Sequence, residues 1–226
     1  MGYDEDYSVP TYYRWYHRVI YRALVRRCLG HLGIGRGARL LDIGCGEGTI
    51  SECFAREGLE VFGFDRSRVG IARAAARAAP RGRSSPHYAV ADVFAPPVWP
   101  GAFDMAYARS FPPVMEMLSR GDAGSLGDLT RRMLACLRSG GWLCISLPVP
   151  KRANRPRYRI DFRDTAHVER AYAPFGAEVF LVNRLDIFLV GRRAFSRWVS
   201  RANRWWLRLA PRGGEVVVFI RNREVA

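Results

Sequence analysis

Lysine is all but missing from this chain. Of its 36 basic residues one is a lysine, Lys151, and the rest are arginine; set against 21 acids they leave a net charge of +15. So one-sided a choice of cation, beside abundant alanine and glycine, fits a GC-rich coding sequence as well as it fits a ligand. The placement of the arginines therefore says more than their number, although a charge of this size attracts polyanions such as RNA, DNA or anionic lipid. Cysteine is scarce and unpatterned. Cys28, Cys45, Cys53, Cys136 and Cys144 form no C-x-x-C and no zinc spacing, which argues against a disulfide framework and a bound metal and for a reducing compartment. No apolar run approaches the ~18 residues of a membrane span. Met1 to Asp6 is acidic where a secretory leader is basic, so the expectation is a soluble, cytoplasmic protein. Internal repeats and low-complexity tracts are lacking too.

What is present is a core and a loop. The chain has 226 residues, 49% of them hydrophobic, which suits a single domain with a substantial interior. Residues 40 to 48 read Leu-Leu-Asp-Ile-Gly-Cys-Gly-Glu-Gly. A short apolar run drives into Gly44, Gly46 and Gly48, and a helical stretch follows. Glycine permits positive φ and lets a ligand lie against bare backbone, so a strand, glycine loop and helix in succession form a nucleotide-binding turn. Dinucleotide sites space their glycines G-x-G-x-x-G. Here the third glycine comes one place early, Thr49 stands where the last is wanted, and Asp42 sits two places before the first. Glu60 to Asp65 is a second apolar strand ending in an acid, twenty-one positions after Gly44, a separation that suits hydrogen bonds to ribose hydroxyls. Tyr88 to Val93 reads as a third strand with Asp92 at its end, and Phe103 to Arg109 as a fourth. Leu137-Arg138-Ser139-Gly140-Gly141 leads into a fifth.

These five motifs, in this order across residues 38 to 147, resemble the class I S-adenosylmethionine-dependent methyltransferases. Ser139 departs from the proline usual in the fifth motif. The resemblance implies an α/β fold, a doubly wound, mostly parallel seven-stranded sheet of Rossmann-like type whose final strand inserts antiparallel. It implies S-adenosylmethionine as cofactor and S-adenosylhomocysteine as product. Its cofactor contacts would come from Asp42, Gly44, Cys45 and Gly46 of the loop, from Asp65 and Arg66 after the second strand, from Asp92 (adenine amino group) and Val93 (backbone N–H), and from Arg109 ending the fourth. Cys45 reads as a small loop residue, not a nucleophile.

Around that frame, residues 1–37 read as an aromatic-rich helical cap and 38–226 as the methyltransferase domain, together one domain. The cap helix spans Thr11 to about Gly30 and carries Tyr12, Tyr13, Trp15 and Tyr16, which can close over the cofactor as a lid or simply belong to the core. Gly30 and Gly33 end it, leaving His31 in an exposed turn. Helices are predicted at Thr49–Arg56, Ser67–Ala79, Leu126–Leu137 and Thr165–Tyr172, with strands at Ala177–Val182 and Glu215–Ile220. Between those strands lies an insertion, about 185–214. There Phe195, Trp198, Val199, Ala202, Trp205, Trp206 and Leu209 share one helical face and arginines the other. Such a helix either covers the sheet or, across about 192–210, touches lipid or closes on a greasy acceptor.

Methyl transfer from sulfonium needs alignment more than acid–base chemistry, and alignment can contribute about 7–11 kcal/mol. A base is required only where the acceptor must lose a proton. Among the four histidines His17, in the aromatic cap, is the weak candidate, with His167 second; His87, on the edge remote from the cofactor, reads as structural. Ser110-Phe111-Pro112-Pro113 matches poorly the motif of amino-directed members, and its prolines read as floor beside the acceptor. The expected function is methyl transfer to a small, aromatic or lipophilic acceptor. RNA methylation is the alternative on charge, and a non-catalytic cofactor-binding module is the alternative of another class. The oligomeric state is not legible.

Overall fold

The computed structural model describes residues 15–78, 85–95, 100–149, 166–183, 186, 194–209 and 214–223, and in 15–18, 149 and 206–209 the backbone alone. In chain order the elements are α1 (Trp15–Leu32), β1 (Arg39–Ile43), α2 (Thr49–Arg56), β2 (Glu60–Asp65), α3 (Arg68–Ala78), β3 (His87–Val90), β4 (Phe103–Arg109), α4 (Pro112–Arg120), α5 (Ala123–Ala135), β5 (Leu137–Val149), α6 (Ala166–Tyr172), β6 (Glu178–Asn183), α7 (Arg197–Leu209) and β7 (Gly214–Arg221).

The seven strands form one sheet in the order β3-β2-β1-β4-β5-β7-β6. Pairings from β3 through β5 are parallel, and β7 runs antiparallel to both neighbours. Chain order reverses between β1 and β4, and in open α/β sheets ligands bind outside the carboxyl ends of strands at such a point. Parallel strands are buried on both faces and so read as continuous apolar runs. Side chains alternate: Leu41, Ile43, Ala108 and Ile145 meet α4, α5 and α6, while Leu40, Met105, Tyr107 and Cys144 meet Leu24, Val25 and Cys28 of α1 and Phe54 of α2.

Several expectations need correction. α1 does not stop at Gly30. It continues to Leu32 and ends at Gly33, whose φ is +68. His31 is consequently not an exposed turn residue: its ring centroid lies 4.9 Å from that of Phe219 and 5.4 Å from that of Phe180. Leu24, Val25, Cys28 and Leu29 place one face of the helix in the core; the earlier aromatic segment, 1–14, lies outside the described residues, as do the side chains of Trp15 and Tyr16. Pro112 and Pro113 form the first turn of a further helix, α4, which the sequence did not lead one to expect. Proline suits that turn because its missing N–H would be unpaired there anyway. Ser139-Gly140-Gly141 lies within β5 as an irregularity between the pairs Phe103↔Leu137 and Met105↔Trp142. Gly140 has φ +73.

The insertion helix α7 covers the outer edge of β6. The Leu181 N–H donates to Ser200 Oγ at 3.1 Å, and Asn203 Nδ2 donates to the Leu181 carbonyl at 2.9 Å. At Leu181 the backbone groups of this edge strand are thus satisfied by side chains. This corrects the expected face of α7. Phe195 and Val199 are buried, together with the polar Ser200 and Asn203, whereas Trp198 and Trp205 are 75% and 63% exposed.

Candidate active site at the carboxyl end of the sheet

The glycine loop joins β1 to α2, and Gly44, Gly46 and Gly48 all have positive φ, at +69, +54 and +76. The outer two are also fixed by packing. A Cβ on Gly44 would sit 2.6 Å from the Phe111 ring, and one on Gly48 would overlap the hydroxyl of Tyr88. Gly48 is thus packed against Tyr88 of β3. The loop is stitched to β2 through backbone amides: Gly44 and Cys45 donate to the Phe64 carbonyl at 2.9 and 3.0 Å. Asp65 completes the seam, accepting from Gly46 N–H at 2.9 Å and from Ser67 N–H at 2.8 Å.

Beneath the loop Asp42 is wholly buried and accepts from Ser51 Oγ at 2.5 Å. Burial pushes its carboxyl up to about 7, against the opposing pull of the Ser51 hydrogen bond and with a further push from Asp65. Burial, with the two neighbouring carboxylates, also drives the Cys45 thiol far above its ordinary range. A thiol so held is not a nucleophile.

S-Adenosylmethionine requires hydroxyl-binding acids and exposed backbone, and the residues present fit it. Asp65 and Asp92 lie after neighbouring strands on one side of the switch point. Each Asp65 oxygen accepts one of the backbone bonds described. Asp92 is less enclosed; its Oδ1 accepts from Phe94 N–H at 3.0 Å, and its Oδ2 lies 3.4 Å from Arg66 Nε. Val93 turns its side chain into the core, so its contribution to a ligand would be backbone alone. The structure therefore brings Asp42, Gly44, Cys45, Gly46, Asp65, Arg66, Asp92 and Val93 together around β1 to β3. His17 falls within α1, but its side chain lies outside the described residues. His87 stacks on Phe62 at 5.2 Å, and His167 lies in α6.

Arg109 belongs to a second cluster, which sequence reasoning missed. Its Nη2 donates to Glu215 Oε1, and the other Glu215 oxygen accepts from Ser146 Oγ at 2.8 Å. The guanidinium carbon lies 4.5 Å from the Tyr21 ring centre in α1. Burial alone would lower the Arg109 pKa, and Glu215 beside it more than reverses this, so the guanidinium stays charged. Among the described residues its Nε is buried without a hydrogen-bond partner. The next residue, Ser110, has φ +51 and is the single non-glycine residue with positive φ in the described chain. Strain of this kind collects at functional sites, and here it sits where β4 ends at the switch point. One signal could have found Glu215: it is the first acid after Asp186 and opens the apolar run Val216–Ile220.

Residues 12–218 match the family described as a methyltransferase domain. The chain belongs to the class I S-adenosylmethionine-dependent methyltransferases. Among relatives in this family, malonyl-[acyl-carrier protein] O-methyltransferase of Enterobacter lignolyticus is 30% identical over 139 residues, 62% of this chain and 49% of that protein. Ubiquinone biosynthesis O-methyltransferase of Burkholderia orbicola is 33% identical over 110 residues, 49% of this chain and 44% of that one. The chain thus spans about half the length of the curated relatives it matches. Two solved structures share the methyltransferase fold. Phosphoethanolamine N-methyltransferase 2 of Haemonchus contortus, in complex with S-adenosylmethionine, superposes with a TM-score of 0.62 at 18% identity, over 99% of this chain and 61% of that one. The [4+2]-cyclase SpnF superposes at 0.60 with 21% identity, over 89% and 81%. No helix among the described residues is long and apolar enough to cross a membrane, and no described group of His, Cys, Asp and Glu could hold a metal.

Proposed function

We propose that this chain transfers a methyl group from S-adenosylmethionine to a small acceptor of aromatic or lipophilic character. One observation carries the reading: a glycine loop tied to Asp65 at the carboxyl ends of β1 and β2, beside the switch point. The cofactor, when bound, supplies an activated methyl group on a sulfonium, which leaves the protein to hold, align and exclude water. In this reading Gly44, Cys45 and Gly46 offer bare backbone, Asp65 its carboxylate to ribose hydroxyls, and Asp92 with the Val93 N–H an adenine-sized edge. Arg66 and Asp42 hold these acids and the loop in place. Arg109 and Ser110 border the acceptor side, where the cluster with Glu215 fixes the end of β4.

The two curated relatives named above are O-methyltransferases by name, which supports an oxygen acceptor. Such an acceptor must lose a proton, and His17 is the candidate to receive it from the N-terminal segment that would close over the site. The five unbridged cysteines support a cytoplasmic setting. RNA is the second reading, favoured by the net charge of +15. A binding module without transfer is the third.

Incubation with methyl-tritiated S-adenosylmethionine in a fractionated extract tests all three. Label is expected in the small-molecule or lipid fraction. Label in RNA would replace the acceptor assignment, and cofactor binding with no transfer to any fraction would favour the module. Calorimetry in which NAD binds more tightly than S-adenosylmethionine or S-adenosylhomocysteine would sink the cofactor assignment itself.

A further inference from the structure

We infer that the outward side of α7 docks on an anionic lipid surface. An α-helix turns about 100° per residue, which places Trp198, Ala202 and Trp205 in one strip roughly 60° wide. Arg197, Arg201 and Arg204 fall in the adjacent strip. The structure agrees with that division: Arg197, Trp198, Arg201, Ala202 and Trp205 are all exposed. The helix is held to the protein by a different side, through Phe195, Val199 and the bonds from Ser200 and Asn203 to Leu181. Its apolar arc is therefore wider than the face the sheet can cover, and two indoles remain in water.

Two tryptophans so exposed, seven residues or about 10 Å apart along a helix, are costly to leave solvated; each ring can bury about 150–250 Å². Charge selects what covers them. From Asp186 to Glu215 the chain carries seven arginines and no acid between them. Of those on α7, Arg204 is neutralised by Glu169 at 3.0 Å, which leaves Arg197 and Arg201 beside the indoles on the outer side. An apolar strip flanked by a separate basic strip is the arrangement of an interfacial helix, indoles at headgroup depth and guanidinium groups on phosphates. A helix tracking single-stranded RNA mixes its aromatics among its cations, so that bases stack between phosphate contacts. Here the two kinds of side chain are segregated. The proposal stands independently of the acceptor assigned above.

Co-sedimentation of the full chain with phosphatidylglycerol-containing vesicles and with pure phosphatidylcholine vesicles tests it. Binding is expected to the anionic vesicles, reduced but not abolished by high salt. Trp198→Ser with Trp205→Ser should weaken it roughly tenfold or more through lost apolar burial. The corresponding pair of phenylalanine substitutions should retain most of it. Arg197→Gln with Arg201→Gln should remove the preference for anionic lipid. All four positions are exposed, so circular dichroism and cofactor affinity should match the parent. Absence of vesicle binding, or binding indifferent to the serine substitutions, would overturn the proposal. So would tight capture of structured RNA, or a defined protein complex, with the same tryptophan dependence and no vesicle association.

Discussion

The glycine loop and the Arg109–Glu215 cluster occupy the same end of the sheet and are wired in opposite ways. The loop is held by backbone amides to acids near in sequence: Gly46 to Asp65 spans 19 positions, and Ser67 to Asp65 two. In the cluster, side chain meets side chain across 106 positions from Arg109 to Glu215 and 69 from Ser146. A backbone-wired site leaves its mark as a local pattern of glycines and acids, because the chain itself is the ligand-binding surface. A site wired through side chains leaves no local pattern, and its members look like unrelated residues at the ends of strands. The first is brittle to added volume and the second to lost charge.

The cluster should give the largest effect. Glu215→Ala strands a buried guanidinium and should cost about 3–5 kcal/mol of stability, measured by denaturant unfolding. Arg109→Met combined with Glu215→Leu should recover much of that loss, since no charge is left without a partner. Equal losses in the single and double variants would break the distinction between the two regions. Next comes the loop. Gly44→Ala forces an L residue to φ +69 and pushes its methyl toward Phe111, at a cost of about 2 kcal/mol or more, and it should abolish measurable cofactor binding by calorimetry. Combined with Phe111→Ala, which opens a cavity of its own, its loss should be less than additive. Strict additivity would mean that backbone strain alone sets the cost of Gly44→Ala.

A graded effect is expected from pH. In the folded protein the Asp42 carboxyl is raised from 3.8 to about 7. The folded state then holds this proton more tightly than the unfolded chain does. The contribution is fully present below about pH 4, is lost as pH rises toward 7 and stays lost above it. Relative to Asp42→Asn, wild-type stability should fall over that window by no more than about 1.4 kcal/mol per pH unit. Parallel stability curves for the two proteins would remove Asp42 from the titration. The smallest change has the opposite sign. Ser110→Gly relieves a positive φ and should raise stability by at most about 1 kcal/mol, while turnover falls because the end of β4 is no longer fixed. Unchanged turnover would separate this strain from the reaction.

How much of this was legible follows from the same contrast. The fourth strand, Phe103–Arg109, and the helix Thr49–Arg56 were read to the residue, since apolar runs and glycine punctuation are local signals. The loop, Asp65 and Asp92 were legible for the same reason. Helix α4 is not legible because two prolines head it, although Val114, Met115 and Leu118 behind them have helical spacing. His31 was misplaced because Gly30 was taken as a helix stop, while rings on β6, β7 and the insertion hold that turn in helical form. The two exposed indoles could not be foreseen. The hydrophobic arc of α7 was plain, but which part of it the sheet would cover depended on Ser200 and Asn203 reaching the backbone of Leu181.

That last arrangement bears on how the sheet is assembled during synthesis. β7 lies between β5 and β6 in space but leaves the ribosome after β6 and α7. Until residues 214–221 emerge, β6 has no strand beside it, and its hydrogen-bonding partner in this part of the fold is the helix that follows. By occupying Leu181 on one side, α7 leaves β6 a single free edge, the one that β7 must find. The strand made last therefore enters between two waiting neighbours, with the outer side of β6 already engaged at Leu181.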